Sequence, residues 1–600
     1  MKGNPSISQQ KAISHTFGPA MILAGPGSGK TFTIIQRIMY LIEKHKISPE
    51  SILTVTFTKA AALQMQQRFR KEAGEQETVF GTFHSICYSI LRESGAFQGY
   101  SLINESTKRK IAEILLLKQK SETEVDYDSI SSVLDAISRR KNMVKEENLF
   151  LLSTEEFERY FTDYQDMLKE QKLLDFDDMI GLCYKLLTEN EMLCRKWQKR
   201  FTYLLVDEFQ DINEMQYRVI KLLACPENHL FVVGDDDQSI YGFRGAAPGI
   251  MKQFTEDFPE AEIIYLQENF RSGDQIVELA GKVIARNTNR FAKTPMAVRK
   301  GGRCVTEFCE TRKQEEEKLI CNLKKEGENK WQECAVILRT NSEVFQYISL
   351  LKKAGIPVRE RLRDHTNIFQ GFIRQDLEAF LRFCREGRGR KDFLKIMNKP
   401  NLYLTRQALT EEIVTEQGMS LYYGNHPQMR KELHRLFQDF DRASAMSPSL
   451  AIRYFRFVMG YENYLRNIAK NREMFQKWTE QLAFFQNLFR DMKPDEKTEE
   501  FLKQKEKEQG KRQEMKITEG VSVITMHMAK GLEYDHVFLP DLNEGVIPGR
   551  NSNTPESLEE ERRLLYVAIT RAREHLYLYY TGERNRRLSR FLTGIIGPPP

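Results

Sequence analysis

The chain has 600 residues, enough for about four folding units at roughly 150 residues each. Hydrophobic residues make up 41% and charged residues 29%, a balance that excludes the disordered and fibrous classes. Lys and Arg number 90 against 84 Asp and Glu, leaving a formal net charge of +6, so no global field draws this chain to nucleic acid and any basic footprint must be local. Local candidates are residues 139–145, 195–200, 385–391 and 584–590, each of which also reads as a solvated helix face. No run approaches the ~20 apolar residues of a membrane span, and residues 1–10 lack the apolar centre of a secretion signal. The 9 cysteines form no CxxC pair; they read as reduced thiols of a cytoplasmic protein and argue against a structural zinc or iron–sulfur site.

In chain order, the apolar runs at 20–25, 51–58, 203–208, 229–235 and 262–266 predict buried parallel strands. Residues 95–199 carry helical periodicity and charge instead, and predict a helical insertion. A second strand series follows at 305–308, 334–340, 521–527, 536–542 and 575–581, interrupted by mostly helical sequence over about 376–515. The hydrophilic run 503–516 predicts an exposed segment where the chain returns to the second series. No repeat of 20–50 residues occurs. The predicted class is α/β, with two cores in tandem, each with a mostly helical insertion.

Three stretches carry chemistry. "AGPGSGKT" (24–31) follows a strand and precedes an amphipathic helix, the context of a phosphate-binding loop. Backbone N–H groups of Gly25, Gly27, Ser28 and Gly29, in the loop that Pro26 helps shape, and the helix N-terminus would cradle phosphate oxygens; Lys30 would reach the terminal phosphates and Thr31 would ligate Mg²⁺. "LLVDEFQD" (204–211) ends a second strand, where Asp207 can hold Mg²⁺ and Glu208 can take a proton from an attacking water. "GDDDQSIYGFRGA" (234–246) sets three acids beside a glutamine, two aromatics and an arginine. With Thr31 and Asp207 as metal ligands, Asp235, Asp236 and Asp237 read as shaping a turn rather than holding an ion.

The chain resembles superfamily 1 DNA helicases of the UvrD/Rep/PcrA kind. Besides the three stretches above, the resemblance is carried by "SQQKAI" (8–13), "TFTKAAALQM" (56–65), "GTFHSICYSILR" (81–92), "DFDDM" (175–179), "LQENFRS" (266–272), "VILRTNS" (336–342), "TMHMAKGLEYDHVFLP" (525–540) and "EEERRLLYVAITRARE" (559–574). It implies two RecA-like P-loop NTPase cores. Their expected boundaries are 1–92 with 200–265 for the first, 93–199 for its insertion, 266–375 with 516–600 for the second, and 376–515 for its insertion.

For the ATP site the resemblance implies that Gln9 reads the adenine edge, Phe270 stacks on it and Glu533 binds the ribose. Gln238 would position the attacking water or sense the γ-phosphate, and Arg271 and Arg571 would contact that phosphate from the second core. Arg571 also reads, by position alone, as a surface helix salt bridge. For DNA the resemblance nominates Phe57, Thr58, His84, Tyr241, Phe243, Arg244, Arg339, Asn341 and His527; core packing is the alternative for Phe57, Tyr241 and Phe243. Relatives more often have Tyr at the place of Phe270 and Trp at that of Phe243.

The implied activity is an ATP-dependent 3′→5′ single-strand DNA translocase and helicase acting on single strands and single–double-strand junctions. The chain would be a cytoplasmic monomer or weak dimer using ATP and Mg²⁺, with any protein partner unspecified. A translocase that remodels protein–DNA complexes with weak unwinding, or a motor subunit of a larger repair or defence complex, is the alternative. Two departures favour weak unwinding: Leu402-Tyr403-Leu404 stand where relatives have a Gly-Ile-Gly turn, and the stretch 581–592 is short for a strand-separating pin; a third departure is the absence at the end of the sequence of the tail many relatives use for partners. A non-catalytic subunit and a nucleotide kinase are the competing classes; neither needs the paired arginines together with the aromatic platform.

Overall fold

The structure, a computed structural model, describes residues 4–120, 127–142, 153–242, 249–360, 371–399, 402, 404–469, 472–493, 496–514, 519–550, 552–583 and 586–596. These fall into two compact units, one comprising nearly all the described residues up to Arg339 together with those from Thr525 onward, the other centred on Thr340–Ile524.

The first unit is built on a parallel sheet. From edge to edge its strands are Val79–Thr82, Ile52–Thr56, Tyr203–Val206, Leu230–Gly234, Ala20–Ala24 and Glu262–Leu266. The apolar runs are continuous because both sheet faces are covered. Along Ala20–Ala24 the side chains alternate between two cores: Ala20, Ile22 and Ala24 join Ile34, Ile38 and Leu41 of helix Lys30–His45, while Met21 and Leu23 join Phe83, Ile86 and Leu204. Because the strands are parallel, Ala24, Thr56, Val206 and Gly234 all end at one rim, where ligand sites of open α/β sheets lie.

Helices Glu105–Lys120, Tyr127–Lys141 and Thr154–Glu170 share a separate core around Ile111, Leu116, Ile137 and Tyr164. Helices Phe176–Glu189 and Glu191–Arg200 instead place Met179, Cys183, Leu187 and Trp197 in the core of the first sheet. A second parallel array in this unit runs Arg303–Cys309, Ala572–Thr581, Tyr534–Leu539, Cys334–Leu338.

The second unit is mostly helical. Its core gathers Phe380, Phe383, Phe393, Phe440, Phe455 and Tyr461, with Phe380 and Phe455 stacked at 4.2 Å. Strands Val358–Glu360 and Val521–Thr525 pair in parallel. The hydrophilic run after residue 503 is the polar part of helix Thr498–Glu514, docked by buried Phe501 and Leu502. Lys, Glu and Gln are strong helix formers, and the ion pair Glu499–Lys503 adds an i,i+4 contact.

Candidate nucleotide and nucleic-acid site

The phosphate-binding loop is shaped by close approach as much as by its glycines' freedom. Gly27 and Gly29 have φ of 70° and 80°, the left-handed region that side chains disfavour. A Cβ on Gly27 would lie 2.6 Å from the Arg271 Cβ, and one on Gly29 would lie 2.7 Å from Gln9 Nε2. Gly29 caps helix Lys30–His45 without any side-chain hydrogen bond, so the first-turn N–H groups face the loop and favour an anion there. Gln9 Nε2 donates to the Ser28 carbonyl at 3.0 Å, and Gln9 Oε1 accepts from the Ser6 N–H at 3.0 Å in a reciprocal helix cap. The far side of the loop is pinned as well: Asn269 Nδ2 donates to Pro26 O at 2.8 Å and the Phe270 N–H to Gly27 O at 2.9 Å. The Phe270 ring itself is 42% exposed, open for stacking.

At the next strand end, Lys30 Nζ stands 3.5 Å from Glu208 Oε2. Glu208 has φ of 52°, a left-handed conformation for a non-glycine residue, the kind of local strain that collects at functional sites. Burial and the neighbouring Glu208 charge push the Asp207 carboxyl up to about 7. Burial acts on Glu208 too, but Lys30, Lys530, the Gln210 hydrogen bond and Arg571 together outweigh it and hold that carboxyl at about 2. Glu208 is therefore an ionised proton acceptor at neutral pH. Asp207 is short of positive charge, and Asp211 Oδ1 is buried with no hydrogen-bond partner. A buried carboxyl held near neutrality beside a carboxylate oxygen without a partner, even with Lys530 on the other oxygen of Asp211, is chemically suited to a divalent cation, so this end of the strand fits Mg²⁺.

The three acids after Leu230–Gly234 are different. Asp235 caps the short helical turn Asp236–Gln238 and accepts from Gln238 Nε2 at 2.7 Å, which is turn shaping. The larger part of their role comes from far along the chain. Lys293 Nζ pairs with all three carboxylates, lying 2.5 Å from Asp235 and 3.1 Å from Asp237. Arg290 forks onto Asp237 at 2.8 and 2.6 Å, and the Phe291 N–H donates to Asp236 at 2.7 Å. Two cations thus offset most of the charge of a buried acidic cluster whose three carboxylates lie close enough to hold a metal, although burial still raises the Asp236 carboxyl.

Gln238 is 3% exposed, and its Oε1 accepts from Arg571 Nη2 at 3.3 Å. Arg571 is 1% exposed, so the surface salt-bridge reading fails. Its guanidinium also donates to the carbonyls of Val567 at 2.9 Å and Leu532 at 3.1 Å. Burial, with Arg271 nearby, lowers it to about 9, still cationic at neutral pH. Arg271 Nε donates to Glu533 Oε2 at 2.6 Å, and Arg573 pairs with the same carboxylate. Glu533 is thus held by two arginines.

Of the residues nominated for DNA, Phe57 and Tyr241 stack with centroids 5.7 Å apart and planes 9° from parallel, both half-exposed rather than in the core. Lys530 Nζ lies 5.0 Å over the Tyr241 ring and donates to the Gln238 carbonyl at 2.7 Å. His84, whose imidazole burial pushes down, meets the exposed Phe176 edge-on at 6.0 Å. Thr58 spends its hydroxyl capping helix Lys59–Ala73, and Arg339 forks onto Glu561, its closest approach 2.6 Å. His527 is half-buried, and Asn341 opens helix Asn341–Lys353 in the second unit. Phe243 and Arg244 lie outside the described residues, as does Tyr403.

The local basic runs are largely spent within the molecule. Lys141 pairs with Asp175 and Asp178, Arg195 with Glu191, Arg388 with Asp441, and Arg586 and Arg590 with Asp541 and Glu544. Sequence reasoning missed Lys530, Gln210, Lys293, Arg290 and Phe176. Lys530 and Phe176 stood inside quoted motifs; the pairing of Lys293 with acids 56–58 positions away has no local signal.

Residues 6–259 match the model of the UvrD/REP helicase N-terminal domain, and residues 264–583 that of the UvrD-like helicase C-terminal domain. The chain is 32% identical to YjcD of Bacillus subtilis strain 168, over 98% of its own length and 80% of that protein's. It is 30% identical to the ATP-dependent DNA helicase Rep of Escherichia coli K12, over 98% and 92% of the two chains. It is 29% identical to the ATP-dependent DNA helicase PcrA of Staphylococcus epidermidis RP62A, over 96% and 83%.

Proposed function

The chain belongs to the UvrD/Rep family of ATP-dependent DNA helicases, and from that premise we propose that it steps 3′→5′ along single-stranded DNA and separates strands at single–double-strand junctions. The observation that carries this reading is one bonded chain of groups: Arg571 to the Gln238 side chain, the Gln238 carbonyl to Lys530, and Lys530 over the Tyr241 ring. It joins a γ-phosphate contact to a base-stacking ring.

In the proposed mechanism, Gln9, Phe270 and Glu533 bind the base and ribose of ATP, and the loop 25–31 cradles its phosphates. Thr31 and Asp207 would hold Mg²⁺, which neutralises phosphate charge when bound. Glu208 accepts the proton of the attacking water while Lys30, Arg271 and Arg571 face the charge developing on the γ-phosphate. Arginines placed this way are worth ~10³–10⁵ in rate in related phosphoryl transfers, so turnover requires both cores to close on the nucleotide. Phe57, Thr58, His84, Tyr241, Phe243, Arg244, Arg339, Asn341 and His527 hold the DNA, by stacking that tolerates any sequence and by phosphate contacts. The fourfold division 1–92 with 200–265, 93–199, 266–375 with 516–600, and 376–515 is part of this proposal, as is a cytoplasmic location. Among the described residues no helix is long and apolar enough to cross a membrane.

A second reading, a translocase that displaces bound proteins but unwinds weakly, is favoured by two features. Leu402-Tyr403-Leu404 stand where relatives have a Gly-Ile-Gly turn, and the described Leu404 is 3% exposed, with Asn398 bonded to both its N–H and its carbonyl. After strand Ala572–Thr581 the chain folds back: Arg590 is bonded to Glu544 at 2.7 Å, and Phe591 and Leu592 are fully buried. Measuring DNA-stimulated ATPase together with unwinding of 3′-tailed and 5′-tailed duplexes separates the readings. The helicase reading predicts strand loss from the 3′-tailed substrate only. ATPase with negligible unwinding leaves the translocase, and unwinding from the 5′ tail overturns the polarity.

A further inference from the structure

Away from the loop and its acids, the second parallel array holds another group of side chains able to ligate an ion. Glu326 closes helix Arg312–Glu326, His536 lies on strand Tyr534–Leu539 and His575 on strand Ala572–Thr581. The two strands pair with His536 opposite His575, so the imidazoles project side by side, centroids 4.9 Å apart and planes 15° from parallel. One ligand atom from each of the three residues lies within 4.8 Å of the other two.

A second observation points to a ligand. His536 is 1% exposed, and its Nδ1 lies 3.3 Å from Glu326 Oε2 but out of hydrogen-bond alignment. The Nδ1 atoms of both His536 and His575 are buried with no hydrogen-bond partner, a costly condition for two ring nitrogens in one place. The carboxylate, in contrast, is already oriented: the Tyr577 hydroxyl donates to Glu326 Oε1 at 2.6 Å, as an outer partner does around a ligating group.

We propose that Glu326, His536 and His575 form a binding site for a late first-row divalent ion of the Zn²⁺ class, with a fourth position left to water. Two imidazoles and one carboxylate suit such an ion, whereas Mg²⁺ prefers oxygen ligands alone. The site uses no cysteine, which is why cysteine spacing gives no hint of it. Cys334 sits opposite His536 on the neighbouring strand, but its thiol donates to the Lys330 carbonyl. The half-buried His575 leaves a path for the ion. Once bound, the ion ties the end of one helix to two strands whose leading flanks carry Glu533 and Arg571, bracing the nucleotide-facing groups without touching the reaction.

The test uses the full chain, stripped with a chelator and titrated with Zn²⁺ and Co²⁺. The expected results are one ion per chain, a Co²⁺ visible absorption band, a thermal unfolding temperature that rises with Zn²⁺, and no competition from excess Mg²⁺. Tyr577→Phe should weaken binding about 10–100-fold, and His575→Asn and Glu326→Gln at least as much. These three positions are partly exposed, so the variants leave the core filled. Absence of binding, or binding that His575→Asn and Glu326→Gln leave unchanged, overturns the proposal; the second result would put the ion on exposed thiols such as Cys225 and Cys321.

Discussion

Two acidic stretches close neighbouring strands of the same sheet, yet different cations serve them. Asp207 and Glu208 follow Tyr203–Val206; Lys30, Lys530 and Arg571 hold Glu208 ionised, while burial and the Glu208 charge push Asp207 up to about 7. Asp235, Asp236 and Asp237 follow Leu230–Gly234 and are paired with Lys293 and Arg290, brought from far along the chain. An acid's role here is set by which cations the fold brings to it, and local sequence does not announce them. Asp207 is suited to a cation and the ionised Glu208 to a proton; the trio, clamped by Lys293 and Arg290, is suited to holding Gln238 still.

The contrast can be broken from either side. Glu208→Gln, which keeps the shape and removes the base, should cut DNA-stimulated ATPase turnover about 10²–10⁴-fold while nucleotide binding persists; wild-type turnover would remove Glu208 from the mechanism. Lys293→Met should instead act on stability, because it strands buried carboxylates. Removing one partner of a buried ionic group costs about 3–5 kcal/mol, readable as a lower denaturant midpoint. Combining it with Asp235→Asn should restore part of that loss, and strict additivity would deny the coupling. The smallest effect belongs to the aromatic surface: Tyr241→Ala should weaken single-strand affinity by about 1–3 kcal/mol with ATPase still measurable at saturating DNA, and unchanged affinity would return Tyr241 to a packing role.

Much of the fold could be read from the chain. The parallel strands were legible because burial on both faces writes continuous apolar runs, and Ala20–Ala24, Tyr203–Val206 and Leu230–Gly234 fall within the predicted segments. The loop 24–31 was legible because glycine spacing reports backbone approach directly. What stayed hidden was long-range charge placement. Nothing near Lys293 marks it as the counter-ion of Asp235, and nothing near Arg586 or Arg590 shows that they fold back onto Asp541 and Glu544. Burial of Arg571 was likewise invisible, since a helix-end arginine beside a glutamate looks solvated until its three carbonyl and hydroxyl acceptors close around it.

The Phe57–Tyr241 pair has a mechanical consequence. Two nearly parallel rings 5.7 Å apart already satisfy one another, so no slot stands open between them for a base. A base can enter there only by parting the rings, and when it leaves they shut behind it. Tyr241 is tethered through Lys530 to the backbone of Gln238, whose side chain meets Arg571, so in the proposed mechanism the parting force would come from that side. Under the proposed stepping mechanism the pair would work as a pawl, its resting state blocking slippage and each nucleotide cycle lifting it.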